Sequence, residues 1–213
     1  MRMRKKPNLI PRMERCSHVQ IQDPAAIKGE WLKSYNEYSA LWLELGCGKG
    51  RFTANTAEKN PNVLLVGVEK VADAMVVGME RVCDSGIDNV RFIDTDVLAL
   101  PIIFEQSEVD RIFINFCDPW PRSKEAKHRL TAPGFLEIYE NILKPDGEIH
   151  FKTDNQPLFE YSVETFVAEG WTLSELTRDL HENGPVGVMT DYEAKFYEQG
   201  VKINRLVAKK EKR

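Results

Sequence analysis

Residues 41–52, which read LWLELGCGKGRF, constrain the fold more than any other stretch of the sequence. The first five residues are mostly large and apolar, which is typical of a buried strand. A glycine-rich turn follows, and residues 52–59 then predict a helix that ends at Asn60-Pro61. In a strand, glycine turn and helix, the backbone can approach a ligand closely and a helix N-terminus points at it. The stretch therefore predicts a ligand site at the carboxyl end of a strand.

The spacing of the glycines discriminates between classes of ligand. A dinucleotide site requires G-x-G-x-x-G, whose third glycine would fall at Arg51, but here Gly50 comes one residue early. Glu44 lies two residues before Gly46, and a carboxylate there would repel a pyrophosphate but suit an ammonium or sulfonium group. The pattern E-x-G-x-G-x-G resembles the first motif of the class I S-adenosylmethionine (SAM) methyltransferases. A nucleotide dehydrogenase and a purely structural turn remain the alternatives for this stretch.

Strands and helices alternate along the rest of the chain. Further strands are predicted over residues 63–68, 90–93, 111–116, 148–152, 171–179 and 201–209, and helices over residues 25–38, 72–83, 133–143 and 157–169. Residues 181–187, rich in Gly, Asn and Pro, predict a loop. We therefore expect an α/β fold: a doubly wound, mostly parallel seven-stranded sheet with helices on both faces, in one domain over residues 1–213.

Composition and charge narrow the class of protein further. No apolar run has the length of a membrane span, and the four cysteines include no C-x-x-C pair, so we expect a cytoplasmic protein without membrane or metal partners. The net charge of −4 means that any RNA contact must come from local basic clusters. One cluster is the basic extension of residues 1–24. The sequence is equally consistent with an extension that contacts tRNA and with a disordered tail. This cluster contains Arg2, Arg4, Lys5, Lys6, Arg12 and Arg15.

Each of the first four predicted strands ends at or near an acidic residue. These residues are Glu44, Glu69, Asp96 and Asp118. The carboxyl ends of parallel strands share one edge of the sheet, so the four carboxylates should line one crevice. In the SAM-methyltransferase pattern, the acid at Glu69 accepts hydrogen bonds from both ribose hydroxyls, although an acid there would also fit NAD. Asp96 would lie near the adenine amino group, and Glu44 near the methionine end of the cofactor.

The stretch NFCDPWPR, Asn115 to Arg122, predicts a stiff loop directly after a central strand, because two prolines flank an aromatic residue. It resembles the D/N-P-P-Y/F loop of methyltransferases that act on a planar nitrogen, with Trp120 in the aromatic position. The alternative is a plain strand terminator with Trp120 in the core. A second basic cluster follows this loop, and the C-terminal KKEKR is a third and weaker one.

Four motifs occur together and in order: ELGCGKG, DPWPRSKEAKHRL, FKTD and TDYE. Together they resemble the bacterial tRNA (guanine-N7-)-methyltransferase family over nearly the whole chain. The resemblance implies transfer of a methyl group from SAM to N7 of a guanosine in tRNA, the variable-loop guanosine at position 46, by a monomer or homodimer. Two positions depart from the family pattern. Arg122 stands where many members have Lys, which changes the donor geometry, and Cys117 is interpreted as a small space-filler.

The resemblance also assigns roles to residues. For this reaction we expect Asp118 to be the catalytic residue, because it can orient the guanine and stabilise the positive charge that develops on it, and we favour this role over removal of a proton. Cofactor contacts are implied at Glu44, Gly46, Gly48, Gly50, Glu69, Asp96 and Asp118. Substrate contacts are implied at Trp120, Arg122, Asp154, Thr190, Asp191, Tyr192 and Glu193, and RNA contacts at Lys124, Glu125, Ala126, Lys127, His128 and Arg129.

Three other classes of protein compete with this interpretation. A small-molecule SAM methyltransferase would share the glycine motif but would not need the basic run from Lys124 to Arg129. A dehydrogenase is disfavoured by the early Gly50 and by the charge of Glu44. A non-catalytic RNA-binding module would tolerate the loss of the four strand-end acids, all of which are present.

Overall fold

The structure is a computed structural model, and it describes residues 8–210. Its centre is one sheet of seven strands: β1 (Ala40–Leu45), β2 (Val63–Glu69), β3 (Val90–Asp94), β4 (Val109–Asn115), β5 (Leu143–Thr153), β6 (Trp171–Thr177) and β7 (Asn204–Lys210). The strand order is β3-β2-β1-β4-β5-β7-β6, and only the pairings of β7 are antiparallel. The predicted doubly wound, mostly parallel α/β sheet is confirmed.

Helices cover both faces of the sheet. They are α1 (Leu9–Arg15), α2 (Trp31–Ser34), α3 (Arg51–Lys59), α4 (Ala72–Ser85), α5 (Leu100–Ile103), α6 (Pro133–Ile142), α7 (Gln156–Ala168) and α8 (Asp191–Glu198). Short 3-10 helices span Ser17–Val19, Pro24–Ile27, Val97–Ala99 and Ser123–His128. None of the helices within residues 8–210 combines the length and the apolar character needed to cross a bilayer.

Two apolar clusters hold the helices to the sheet. The larger cluster contains Leu41, Leu43 and Leu45 of β1, together with buried side chains of α5, α6 and α7. The smaller cluster lies on the other face, where Phe52 of α3 and Met79 of α4 are buried. Successive side chains of a strand point to opposite faces, so the apolar strands contribute to both clusters. Both faces of the central strands β1, β2 and β4 are therefore largely covered, and the ends of these strands remain as the place for a site.

The helix predicted over residues 25–38 is wrong. The chain instead forms the 3-10 helix Pro24–Ile27 and the four-residue helix α2, separated by a break at Gly29, whose φ is +76°. The Glu108 carboxylate accepts hydrogen bonds from the backbone N–H groups of Gly29 and Trp31, both at 3.1 Å. Trp31 is fully buried and stacks on Phe104. These contacts with residues more than 70 positions away along the chain determine the break, so local periodicity could not predict it.

The described part of the N-terminal extension packs against the domain. Helix α1 contacts α4, where Arg12 donates to both carboxylate oxygens of Glu80 and Arg15 donates to Asp84 at 2.8 Å. Cys16, directly after α1, is fully buried. Two basic residues of the first cluster are thus paired with acids of α4, whereas Arg2, Arg4, Lys5 and Lys6 lie outside the described residues. In the third cluster, Lys209 pairs with Glu148 and Lys210 with Glu140.

Candidate active site

The glycine turn after β1 opens towards the edge of the sheet. The backbone N–H groups of Gly46 and Cys47 donate to the Val68 carbonyl at 2.8 and 3.1 Å, which ties the turn to β2. A Cβ atom added to Gly46 would meet no atom within 4 Å, and one added to Gly48 would meet only the Gly46 carbonyl oxygen at 4.0 Å. This part of the turn is therefore an open cradle of backbone, as a site for a closely held ligand requires.

Gly50 has a different role in the same turn. It is buried with a φ of +68°, and a Cβ atom there would lie 2.7 Å from the Cα atom of Gly78 in α4. Such a distance is shorter than any tolerated contact with backbone. The packing of α3 against α4 therefore requires glycine at position 50 by itself, and the cofactor contact at Gly50 stays a prediction.

Glu44 is the most unusual group at this edge, because it is a buried carboxyl. The Thr53 hydroxyl donates to one of its oxygens, and Asn115 Nδ2 donates to the other at 3.1 Å. Burial raises the pKa of Glu44 to about 7, despite the hydrogen bonds and the positive charge of Lys152 that favour its ionised form. Asn115 Oδ1 is also buried and has no hydrogen-bond partner among residues 8–210. Two buried acceptors side by side fit a ligand group that carries N–H donors and positive charge.

Glu69 ends β2 with its carboxylate fixed by backbone. One oxygen accepts from the Gly48 N–H at 3.0 Å, and the other accepts from the Val71 N–H at 2.9 Å. Each carboxylate oxygen has two lone pairs, so one on each oxygen is left for a ligand. The arrangement can receive two hydroxyl donors at once.

Asp96 follows β3 and is exposed. Its side chain accepts from the Leu98 N–H at 3.0 Å and caps the 3-10 helix Val97–Ala99. This backbone hydrogen bond holds the pKa of Asp96 below its usual value, and the Lys70 ammonium at 3.2 Å contributes in the same direction. Asp96 therefore presents an ionised carboxylate at the edge of the sheet.

Asp118 lies in the loop after β4, the strand that pairs with β1. It is exposed, and it makes no hydrogen bond or ion pair with any of the described residues, 8–210. The same loop contains Phe116 and Trp120 with φ values of +53° and +43°, a conformation that bulky residues rarely adopt. Cys117 packs partly buried against the larger cluster, and burial raises the pKa of its thiol to about 12. A strained loop thus carries both the free carboxylate of Asp118 and the aromatic residue Trp120.

The run predicted to contact RNA is mostly the 3-10 helix Ser123–His128. Lys124, Lys127 and His128 are exposed, and the His128 ring lies 5.2 Å from the Trp120 ring between centroids. Arg122 is 72% exposed, with Glu125 as its ion-pair partner at 3.4 Å. Ala126 is half-buried. The exposed basic side chains therefore follow directly after the loop of Asp118.

Arg129 differs from the rest of that run. Its Nε donates to the Pro119 carbonyl at 3.1 Å, and its Nη2 donates to the Trp120 carbonyl at 3.0 Å. The guanidinium carbon lies 4.2 Å from the centre of the Tyr161 ring. Arg129 is thus engaged with the loop itself rather than directed at solvent.

The TDYE motif begins helix α8, which was not predicted. Thr190 and Glu193 form a capping box, in which Thr190 Oγ1 accepts from the Glu193 N–H at 3.0 Å. Asp191 is exposed and pairs with Arg51 and Arg81 at 3.7 and 3.6 Å, and Tyr192 is 59% exposed. The S/T-x-x-E spacing was present in the sequence as a helix-start signal.

Glu193, at which a substrate contact is predicted, is a buried carboxylate paired with other side chains. It is fully buried and accepts from Lys152 Nζ at 2.5 Å, while its other oxygen lies 3.1 Å from His181 Nε2. Lys152 also donates to the Val188 carbonyl at 3.0 Å. A buried carboxylate needs such partners, so both oxygens of Glu193 are occupied in holding the segment before α8 to β5.

Asp154, also expected at the substrate, is exposed just after β5. Sequence reasoning missed Thr53, Asn115, Lys152 and His181. Asn115 and Lys152 lie inside quoted motifs at the ends of strands, and this position was a signal for a site. Thr53 and His181 carried no comparable signal. Within the described ranges, no group of three or more His, Cys, Asp or Glu side chains could hold a metal ion.

A family model with the description "Putative methyltransferase" matches residues 39–206. A tRNA (guanine-N(7)-)-methyltransferase from Bacillus velezensis is 41% identical over 206 residues, which cover 96% of this chain and 95% of the relative.

Two solved structures share the fold at low identity. The 16S rRNA methyltransferase KamB superposes with a TM-score of 0.64 at 16% identity, covering 84% of this chain and 91% of that chain. A variant of the 16S rRNA (adenine(1408)-N(1))-methyltransferase from Catenulisporales acidiphilia, solved with its cosubstrate SAM, gives a TM-score of 0.60 at 16% identity. It covers 90% of this chain and 93% of its own.

Proposed function

The chain belongs to the methyltransferase family whose model it matches over residues 39–206, and from this premise we propose that it methylates N7 of a guanosine in tRNA, using SAM. The observation that carries the proposal is the pair of buried acceptors on Glu44 and Asn115, next to a stiff loop with a free Asp118 and a flanking basic helix. The relative that shares 41% identity is named for this reaction.

The cofactor fits the residues at the strand ends. SAM supplies, when bound, an electrophilic methyl group on a positively charged sulfur. Glu44 and Asn115 Oδ1 would hold its ammonium end, because buried acceptors need a donor. Glu69 would accept the ribose hydroxyls with the lone pairs that its backbone contacts leave free, and Asp96 would lie near the adenine. Gly46 and Gly48 leave room for the ligand against the backbone.

The methyl transfer requires little of the protein beyond placing the guanine and the methyl donor in line. Guanine N7 carries an in-plane lone pair and has no proton to lose, so no general base is needed. Orientation of two reactants in line can contribute roughly 7 to 11 kcal/mol in favourable cases. Asp118 orients the base and stabilises the positive charge that methylation leaves on the purine, because a fixed carboxylate acts where charge develops.

Recognition of the substrate is assigned to the loop, the basic helix and the start of α8. Trp120 would stack on the unstacked guanine, which is typically worth roughly 1 to 3 kcal/mol. Further substrate contacts are proposed at Arg122, Asp154, Thr190, Asp191 and Tyr192. Lys124, Lys127 and His128 would contact phosphates, which fix register beside the reacting base. The target is proposed to be the variable-loop guanosine at position 46, in the cytoplasm, with the enzyme as a monomer or homodimer.

The proposal is tested by methyl transfer from labelled SAM to tRNA made without modifications, followed by cleavage mapping of 7-methylguanosine. Label at a single variable-loop guanine is the expected result. Label at another atom or another nucleotide would contradict the acceptor assignment while retaining the cofactor site. SAM binding without transfer to tRNA would contradict tRNA as the substrate and would favour a small-molecule acceptor.

A further inference from the structure

Arg129 forms a clamp on the loop that carries Asp118. Its Nε donates to the Pro119 carbonyl at 3.1 Å and lies 3.3 Å from the Trp120 carbonyl, to which Nη2 donates at 3.0 Å. The carbonyls of two consecutive residues thus converge on one edge of one guanidinium. Only arginine presents two donors in a rigid fork that fits such a pair of acceptors.

The bend that Arg129 holds is one the chain does not adopt readily. Trp120 has a φ of +43°, and positive φ is disfavoured for an aromatic residue. Such a conformation persists only where surrounding contacts determine it. The clamp provides contacts of that kind, because it fixes the carbonyl oxygens of the two peptide links that flank Trp120.

The clamp is anchored to the core through an aromatic ring. The guanidinium of Arg129 lies over Tyr161 at 4.2 Å, and Tyr161 belongs to α7, whose Phe159 and Phe166 are fully buried. A cation over an aromatic face is attracted to it and is held in one plane. The loop is therefore tied to helix α7 through Arg129 and Tyr161.

These contacts also argue against binding of a tRNA phosphate by the Arg129 guanidinium. The bidentate edge formed by Nε and Nη2, which could grip a phosphate, already faces two carbonyl oxygens. By contrast, Lys124 and Lys127 in the same run are exposed. The last residue of the basic run is thus set apart from the others by its contacts.

We propose that Arg129 is a positioning residue of the methyl-transfer site, which sets the place of Asp118 and Trp120, and that it does not contact tRNA. The proposal rests on the proposed function for its kinetic consequences, but the clamp itself can be tested without turnover.

The kinetic test compares Arg129→Lys with two other variants. Lysine keeps the charge but reaches one carbonyl only, so we expect kcat at saturating tRNA to fall tenfold or more, with the tRNA Kd and its salt dependence within twofold of wild type. Arg178→Lys is the matched control, since Arg178 pairs with Glu160 on the surface of α7, and it should retain wild-type kinetics. Lys127→Ala should weaken tRNA binding and reduce the salt slope by about one.

A second variant keeps the proposal testable if Arg129→Lys folds poorly. Tyr161→Leu removes the ring beneath the guanidinium without changing any charge, so kcat should fall while the salt slope stays unchanged. A normal kcat in Arg129→Lys would overturn the positioning role. The neutral variant Arg129→Gln tests the RNA contact, and a tRNA Kd and salt slope that shift in it as they do in Lys127→Ala would make Arg129 an RNA contact.

The clamp is also tested without tRNA, by limited trypsin digestion of the whole protein. Cleavage after Arg122 and Lys124 should be severalfold faster in Arg129→Lys than in wild type, and unchanged in Arg178→Lys. Equal cleavage in all three proteins would overturn the clamp. Faster cleavage together with no tRNA methylation by wild-type protein would instead refute the proposed function and leave the clamp standing.

Discussion

Replacement of Glu44 by glutamine should stabilise the ligand-free protein at alkaline pH while it weakens cofactor binding. Glutamine has almost the same shape as glutamate, so it can keep both hydrogen bonds: its carbonyl accepts from Asn115 Nδ2, and its amide donates to Thr53 Oγ1. What it removes is a buried negative charge. The substitution therefore isolates the cost of that charge.

The magnitude follows from the pKa of Glu44. The folded protein raises it from 4.5 to about 7, a difference that corresponds to roughly 3 kcal/mol. Between these pH values the folded state binds a proton that the unfolded state has released. The free energy of unfolding of wild type therefore falls, through this group, as pH rises from 4.5 to 7, and stays level above 7. A glutamine side chain does not titrate, so the Glu44→Gln variant escapes this loss.

The assay is urea unfolding of both ligand-free proteins between pH 5 and pH 8. The stability difference should favour Glu44→Gln by about 2–3 kcal/mol at pH 8 and shrink towards zero near pH 5. In titrations with SAM at pH 8, the variant should bind about 10- to 100-fold more weakly, since a hydrogen bond to a charged group contributes about 1.5–3 kcal/mol. A stability difference that does not change with pH would refute the account of Glu44 as a costly buried carboxylate. Unchanged SAM affinity would refute its role at the cofactor.

The other predictions concern the turn, the loop and the basic helix. Gly50→Ala should cost about 1–3 kcal/mol or more in urea unfolding, because a Cβ atom would strike the α4 backbone and φ is positive. Gly46→Ala, with open space around it, should cost only the φ strain of about 1 kcal/mol, and similar losses in the two variants would contradict this reasoning. Asp118→Asn should lower kcat at saturating tRNA by about tenfold or more, since the fixed charge is lost, and near wild-type turnover would rule out a charged role. Lys124→Ala combined with Lys127→Ala should reduce the salt slope of tRNA binding by about two, and an unchanged slope would remove the basic helix from the RNA face.

The sequence predicted those parts of the fold that depend on local pattern. The apolar runs of β1, β2 and β4 and the periodic helices α3, α4, α6 and α7 are present within a few residues of their predicted limits. The break that replaces the helix over residues 25–38 could not be predicted, because it depends on Glu108, far along the chain. Helix α8 differs, because the S/T-x-x-E spacing of its capping box is a local signal for a helix start, and the same TDYE residues also match a predicted ligand contact.

In the candidate site, too, the sequence predicted what depends on local pattern and not what depends on contacts between distant residues. Residue types at strand ends predicted where acids would gather, but not which of them would be buried. Glu44 differs from Asp96 because Thr53 and Asn115 enclose it, and Glu193 is buried because Lys152 reaches it from β5. Charge alone likewise could not separate Arg129 from its neighbours, since its partners are backbone carbonyls that become visible only in the folded loop.

The strand order has a consequence for how a chain of this kind can change its acceptor. Because β1 and β4 are neighbours while their connections run to opposite sides of the sheet, the residues proposed to hold the cofactor lie mainly before residue 100. Those proposed to meet the acceptor all lie beyond residue 115. Cofactor binding and acceptor binding are thus assigned to consecutive parts of the sequence, which meet in the fold where β1 pairs with β4. Insertions or replacements in the second part can alter which nucleic acid is modified and leave the methyl donor untouched.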